Sequence, residues 1–387
     1  MSDGLQIVLC PDSFKGSLDA TTVAAAMARG VHAACPTARV HALPMADGGE
    51  GSARLIAQAL GWEWQLAEVH GPTGERVTAG WGLDSDDRRA VIDVASACGL
   101  DLVPPDRRDP RQLDSRGVGE LMSAAMDAGI RQLMIGLGGS GTVDGGAGML
   151  AALGLRFLDG DGDLLPPAPA ELATLAAVDG SGLDPRLAEL EIILLSDVDN
   201  PLIGPDGASA VFGPQKGLAE ADIEAMDAHL ARLAKVFVAA NLLHCPTDTP
   251  EKTPGAGAAG GLGFALNCVL GGSTQMGASC IADLIGLNVA IARADWVITG
   301  EGQIDGQTLR GKVVAEVIGR AQKHGVPVAA VAGRITASRE ELAALGLADA
   351  RALCDGSLTL EQAMAEPARW IATRTEALMR TICERRN

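Results

Sequence analysis

A chain of 387 residues with 47% apolar content has material for two domains of ordinary size, which excludes a disordered protein and a small disulfide-stapled one. With 49 acidic against 31 basic residues the formal charge is −18, which disfavours nucleic acid and anionic lipid as partners and makes any lysine beside a glycine-rich turn informative. No apolar run approaches the roughly 18 residues of a membrane span. The start "MSDGLQIVLCPDS" lacks a signal-peptide pattern, and the eight cysteines form no CxxC pair and no zinc spacing, so a reduced cytoplasmic protein is expected.

The first apolar run, "LQIVLC" (5–10), is continuous, as in a strand buried on both faces of a parallel sheet. The pattern returns in "RVHALPM" (39–45), "RQLMIGL" (131–137), "LEIILLS" (190–196), "DWVITG" (295–300) and "VPVAAVAG" (326–333). After the first run, Ser17 is placed to cap a helix whose Val23, Met27 and Val31 fall four apart on one face, which predicts a βα unit over residues 5–35. Residues 62–98 alternate instead and carry the turn signals GPTG and DSDD, so antiparallel hairpins are expected there. Together these patterns predict an α/β fold of two α/β domains with mostly parallel sheets. One domain spans 1–65 and 290–387, the other is inserted at 66–289, and a cleft is expected where the chain crosses between them.

Acids recur just after the apolar runs: Asp12, Asp47, Asp197 and Glu301. In open parallel sheets ligands bind beyond the carboxyl ends of the strands, and carboxylates gathered there repel unless a cation or shared protons compensate them. With almost no histidine nearby, Mg²⁺ is the natural cation. The alternative is that each acid is a turn residue or helix cap. Lys15, in "PDSFKGSL" (11–18), lies in the first strand-to-helix turn, where it can reach a phosphate; otherwise it is a solvated loop lysine. "FGPQKG" places Gln215 and Lys216 in a similar turn.

GxGxxG occurs twice, at 136–141 and 255–260, so spacing alone does not make either copy a dinucleotide fingerprint. The first copy lies between a strand and a helix. The acids Asp159, Asp161 and Asp163 are near the distance of a ribose-binding residue, but they sit in a polar turn, "LDGDGDLLPP". The second copy follows no strand and reads as a loop that closely approaches substrate, or as a hinge. "GQTLRGKV" (306–313) has Val313 where a P-loop needs a hydroxyl, so the P-loop is rejected and Lys312 is taken as a helix-surface residue. There is no GxSxG elbow and no HExxH, which removes support for hydrolase and zinc chemistry.

Six blocks in one order resemble the type I glycerate kinases: "PDSFKGSL", "PMADGGEGS" (44–52), "GLGGSGTVDGGAGM" (136–149), "SDVDNPLIGPDGASAVFGPQKG" (196–217), "GAGAAGGLGFAL" (255–266) and "VITGEGQIDGQTLRGK" (297–312). The resemblance implies two α/β domains, one Rossmann- or flavodoxin-like, and transfer of a phosphoryl group from ATP, with Mg²⁺, to D-glycerate. The 2-hydroxyl is the acceptor generally assigned in bacterial members, and the 3-phosphoglycerate product stays open. It also implies Asp197 and Lys15 as catalytic residues. Ser13, Gly138, Gly139, Ser140, Asp144, Asn200, Gln215 and Lys216 become contacts to substrate or phosphate, and Asp47, Asp199 and Glu301 ligands of Mg²⁺ or its waters. Asp144 is equally placed to cap the following helix. Where the family reads GGSATNDGG this chain has Gly141 and Val143, and Ser196 stands for the usual Cys. An NAD-dependent dehydrogenase of a small hydroxy acid and a non-catalytic sugar-acid sensor are the rival readings. A monomer or a homodimer is expected, with no nucleic-acid or membrane partner.

Overall fold

The computed structural model describes residues 4–245, 247–305, 313–356 and 358–386. Lys312 and the rest of the near P-loop up to Val313 lie outside them. The chain divides into two units, residues 1–47 with 278–387, and residues 48–277.

In the first unit five strands are parallel throughout, in the order Arg39–Ala42, Gln6–Pro11, Trp296–Gly300, Val328–Ala332 and Leu347–Ala352. Numbered within this sheet the order is 2-1-3-4-5, that of flavodoxin-like folds, with its switch point between Gln6–Pro11 and Trp296–Gly300. The predicted βα unit is present: the helix Ala20–Ala34 buries Val23, Met27 and Val31 in the core of this unit. Its cap is Asp19, however, not Ser17. Phe14 and Leu18 pair first and close a turn that holds Ser17, and Asp19 then accepts from the Thr22 amide at 2.8 Å. The run "RVHALPM" also departs from expectation. Its strand is the last in the sheet, so Arg39, His41 and Ala42 are exposed.

The second unit carries a six-stranded sheet in the order Ser273–Gln275, Glu191–Leu195, Gln132–Gly136, Arg89–Asp93, Arg76–Asp84 and Glu63–His70. The last two pairings are antiparallel hairpins, as the alternation predicts, and the other strands run parallel. The helix Arg116–Asp127 buries Val118, Leu121 and Met122 in the same core as Ile92, Leu133 and Ile135 of the sheet. Among the described residues no disulfide is formed, and no helix is long and apolar enough to cross a membrane.

The second glycine motif contacts the protein's own backbone. The Gly257 amide donates to the Asn200 carbonyl at 2.9 Å and the Gly145 amide to the Gly260 carbonyl at 3.0 Å, so the segment is a loop packed against the chain's own backbone. Gly260 has φ +70, and a Cβ there would lie 1.9 Å from the Thr142 carbonyl oxygen. Both backbone conformation and space require glycine. Gly260→Ala should destabilise the protein by at least about 2 kcal/mol, read as a lowered urea midpoint; a wild-type midpoint would show that this loop yields freely.

Candidate active site

At the switch point of the first unit, Pro11 pairs with Gly300, so the residues that follow, Asp12 and Glu301, leave adjacent strand ends. The Asp12 amide donates to the Gly300 carbonyl at 2.8 Å. Asp47 follows the neighbouring strand. Burial pushes the Asp12 carboxyl up to about 7; the charges of Asp47 and Glu301 push the same way, while the Ser13 amide, 2.6 Å from Oδ1, opposes them. This is the signature of carboxylates whose ionisation calls for a cation or a shared proton. Among the described residues no group of three acids, cysteines or histidines makes a cage by itself. A hard divalent ion placed here would take one or two carboxylates and its other oxygens from ligand and water. Above these acids the turn closed by Phe14 and Leu18 holds Lys15 and Gly16 exposed, with Phe14 buried as its anchor. Gly16 has φ +73, the left-handed conformation such a turn needs.

In the second unit the predicted residues lie on loops beyond the carboxyl ends of the parallel strands. Asp197 is half-buried, and its Oδ1 accepts from the Gly277 amide at 2.7 Å, at the start of the helix Gly277–Leu284. Asp199 and Gln215 are exposed. Asn200 is a bracket for its own loop, its Nδ2 donating to the Asp206 carbonyl at 2.8 Å.

The first glycine stretch leaves the strand Gln132–Gly136 and enters the helix Ala147–Ala152, as expected of a strand-to-helix turn. Its tight geometry answers to a neighbouring loop. The Gly138 amide donates to the Gly48 carbonyl at 3.2 Å, and a Cβ on Gly138 would stand 2.5 Å from Gly49 Cα. Gly139 is exposed, whereas Ser140 is 6% exposed. Val143 is fully buried in the apolar core, so the side chain that replaces the family's Asn faces no ligand. Asp144 is buried too and ties together the segments that start two helices, without being the N-cap of either. It accepts from the Gly146 and Gly148 amides at 3.1 and 3.0 Å, and from the Ser115 amide and hydroxyl at 2.8 and 2.7 Å, with Ser115 preceding Arg116–Asp127. Lys216 is 2% exposed, and its ammonium donates to Ser140 Oγ and to the Thr142 carbonyl, both at 2.8 Å. It stands beneath the loop, not on its surface. Asp159, beside the rejected ribose position, receives the Asp161 and Asp163 amides at 3.0 and 2.9 Å in an exposed turn.

One residue of this region escaped sequence reasoning. Asp93 ends the strand Arg89–Asp93, is buried, and accepts from the Gly51 and Ala53 amides at 2.9 Å each, fixing the start of the helix Ser52–Leu60 beside the Gly48–Gly49 turn. The same acid-after-apolar-run signal was present in "AVID", but it lay inside a region read as hairpins, where a strand end marks no ligand edge.

The family model described as the Glycerate kinase family matches residues 7–383. The glycerate kinase of Bacillus subtilis (strain 168) is 41% identical over 95% of this chain and 95% of its own. The glycerate 2-kinase of Escherichia coli (strain K12) is 43% identical over 86% of each chain. A crystal structure from Salmonella typhimurium LT2, assigned as a glycerate kinase 2, matches with a TM-score of 0.82 at 41% identity and covers 99% of both chains.

Burial pushes the Asp93 carboxyl up to about 7, against the two amide hydrogen bonds that pull it down. Between its ordinary 3.8 and about 7 the folded chain then holds a proton that the unfolded chain has released. Stability should therefore fall as pH rises through that window, by at most about 1.4 kcal/mol per pH unit from this group. Asp93→Asn has no such proton, so its stability should change less than that of the wild type from about pH 4 to about pH 7. Urea unfolding across this range checks it, and parallel profiles would refute it.

Proposed function

Since the chain belongs to the glycerate kinase family and is thus a phosphotransferase with an alcohol group as acceptor, we propose that it transfers the γ-phosphoryl group of ATP, with Mg²⁺, to the 2-hydroxyl of D-glycerate. The observation that carries this reading is the meeting of Asp12, Asp47 and Glu301 at the switch point of the first unit, where burial and mutual repulsion hold Asp12 at about 7. Phosphoryl transfer asks a protein to align two oxygens and to offset the charge that gathers on the phosphoryl group, with little covalent chemistry of its own. A group of mutually repelling carboxylates at a strand switch point suits a bound Mg²⁺–nucleotide. Mg²⁺ supplies charge neutralisation for the phosphate oxygens when bound.

The residues divide by what they offer. Asp47 and Glu301 are assigned to the metal or to its waters, and Asp199 is kept as a separate candidate for the same role. Lys15, exposed at the tip of its turn, offers a point charge to a phosphate or to the glycerate carboxylate, and Ser13 lies beside it. Asp197 is assigned to accept the proton of, or orient, the glycerate hydroxyl, since it is an acid at a strand end whose Oδ1 is already held by the Gly277 amide. Ser140, Gly139, Asn200 and Gln215 are kept as contacts for the anionic ends of the ligands. The 2-hydroxyl is preferred over the 3-hydroxyl because the Escherichia coli relative is named a glycerate 2-kinase. A cytoplasmic location accords with this substrate and nucleotide.

Incubation with D-glycerate, ATP and MgCl₂ should release ADP in step with a phosphorylated acid, and phosphorus–carbon coupling in the NMR spectrum of the product should place the phosphate on carbon 2. Absence of glycerate-dependent ADP release would overturn the kinase reading, and coupling to carbon 3 would overturn the choice of hydroxyl. Asp197→Asn keeps an oxygen for the Gly277 amide while removing the charge. It should therefore lower kcat by at least about a hundredfold with a near-normal melting temperature, and near-normal turnover would remove Asp197 from the chemistry.

A further inference from the structure

Lys216 ends the single helical turn Pro214–Lys216 and is the one lysine among the described residues that is buried. Its ammonium is held by Ser140 Oγ and the Thr142 carbonyl, both neutral acceptors. The ionisable groups that act on it are Cys98 and Asp144. Cys98 is a neutral thiol, pushed up to about 12 chiefly by burial. The Asp144 carboxylate is committed to Ser115, Gly146 and Gly148, and no ion pair joins it to Lys216. The positive charge beneath the glycine loop is thus left without a contacting counter-ion, and desolvation draws the Lys216 amine down to about 8. An isolated buried ammonium is costly, so a site that retains one calls for an anion at hand.

The geometry also sets the direction of a hydrogen bond. An ammonium only donates, so Ser140 Oγ is the acceptor of its contact with Lys216, and the hydroxyl proton must point elsewhere. A hydroxyl that accepts from a cation is polarised as a donor. Ser140 follows Gly139, which is exposed, at the point where the loop reaches the surface.

We propose that Lys216 is a positioning residue. It fixes and polarises the Ser140 hydroxyl as a donor to an anionic oxygen of the ligand, carboxylate or phosphoryl, and lends its charge from behind the loop without touching the ligand. This assignment rests on the kinase reading for its ligands, but its geometry does not depend on turnover.

The test uses the full-length wild type, Ser140→Ala, Lys216→Met and the double variant. Steady-state kinetics with D-glycerate and with ATP are compared with calorimetric titration of inorganic phosphate and of D-glycerate, and each melting temperature is recorded. Each single variant should weaken the same anion by about tenfold or more, raising KM for one substrate more than it lowers kcat. The double variant should lose no more than about twofold beyond either single one. A selective rise in the glycerate KM with loss of glycerate binding identifies the carboxylate, and a rise in the ATP KM with loss of phosphate binding identifies the phosphoryl group. Additive losses would overturn the proposal, as would a Lys216→Met protein that melts lower but binds both anions normally. If Lys216→Met does not fold, Ser140→Ala decides alone, because it leaves the lysine in place and removes one oxygen; unchanged affinities there refute the proposal. Wild-type turnover with normal binding in the variants would sink this inference and leave the kinase reading standing. Conversely, weakened anion binding without any turnover of glycerate would do the reverse.

Discussion

The constraint that organises this protein is the compensation of carboxylates at and beyond the carboxyl ends of its parallel strands. A charge leaving the end of a buried strand has lost much of its water, and something must replace it. Asp93 takes two backbone amides, Asp144 takes three amides and a hydroxyl, and Asp197 takes the amide at the start of a helix. In each case the loop or helix that donates is thereby fixed in place. Asp12 differs, since it receives the Ser13 amide while two further carboxylates press upon it. Asp93 and Asp144 thereby hold the fold together, whereas the acids at the switch point press on one another.

Around the second sheet the same end of the strands is assembled from backbone against backbone. Gly138 lies on Gly49, and Gly260 on Thr142, at distances no side chain would permit. Lys216 and Asp144 then lock the 140–148 segment from below, one through a hydroxyl and a carbonyl, the other through amides. Val143 belongs to this support as well, pointing into the core and not toward a ligand. A loop built this way has little freedom. Gly139, exposed at its surface, is held in one geometry by the buried groups around it.

The glycine-rich stretches therefore mean something different from what their spacing suggests. GxGxxG reports that backbone comes close to something, and in both copies the close approach is largely to the chain's own loops. The rule that acids after apolar runs line a site was similarly half informative. It singles out Asp12, Asp47, Asp197 and Glu301 as candidates, and it does not separate them from Asp93, which ends a strand in the same way and is spent on two backbone amides.

The amino-acid sequence by itself determined the βα unit at the start, the buried parallel strands, the hairpins of residues 62–98 and the family to which the chain belongs. These follow from local periodicity, turn chemistry and the order of short motifs, all of which are written along the chain. Only the tertiary structure decided which acids are spent on caps, that Asp19 and not Ser17 starts the first helix, that the strand Arg39–Ala42 is an exposed edge, and that Lys216 lies buried under Ser140. Each of these depends on which atoms arrive from distant parts of the chain, because whether a carboxylate or an ammonium remains available is set by its hydrogen-bond partners and its burial, and neither is encoded in its immediate neighbours.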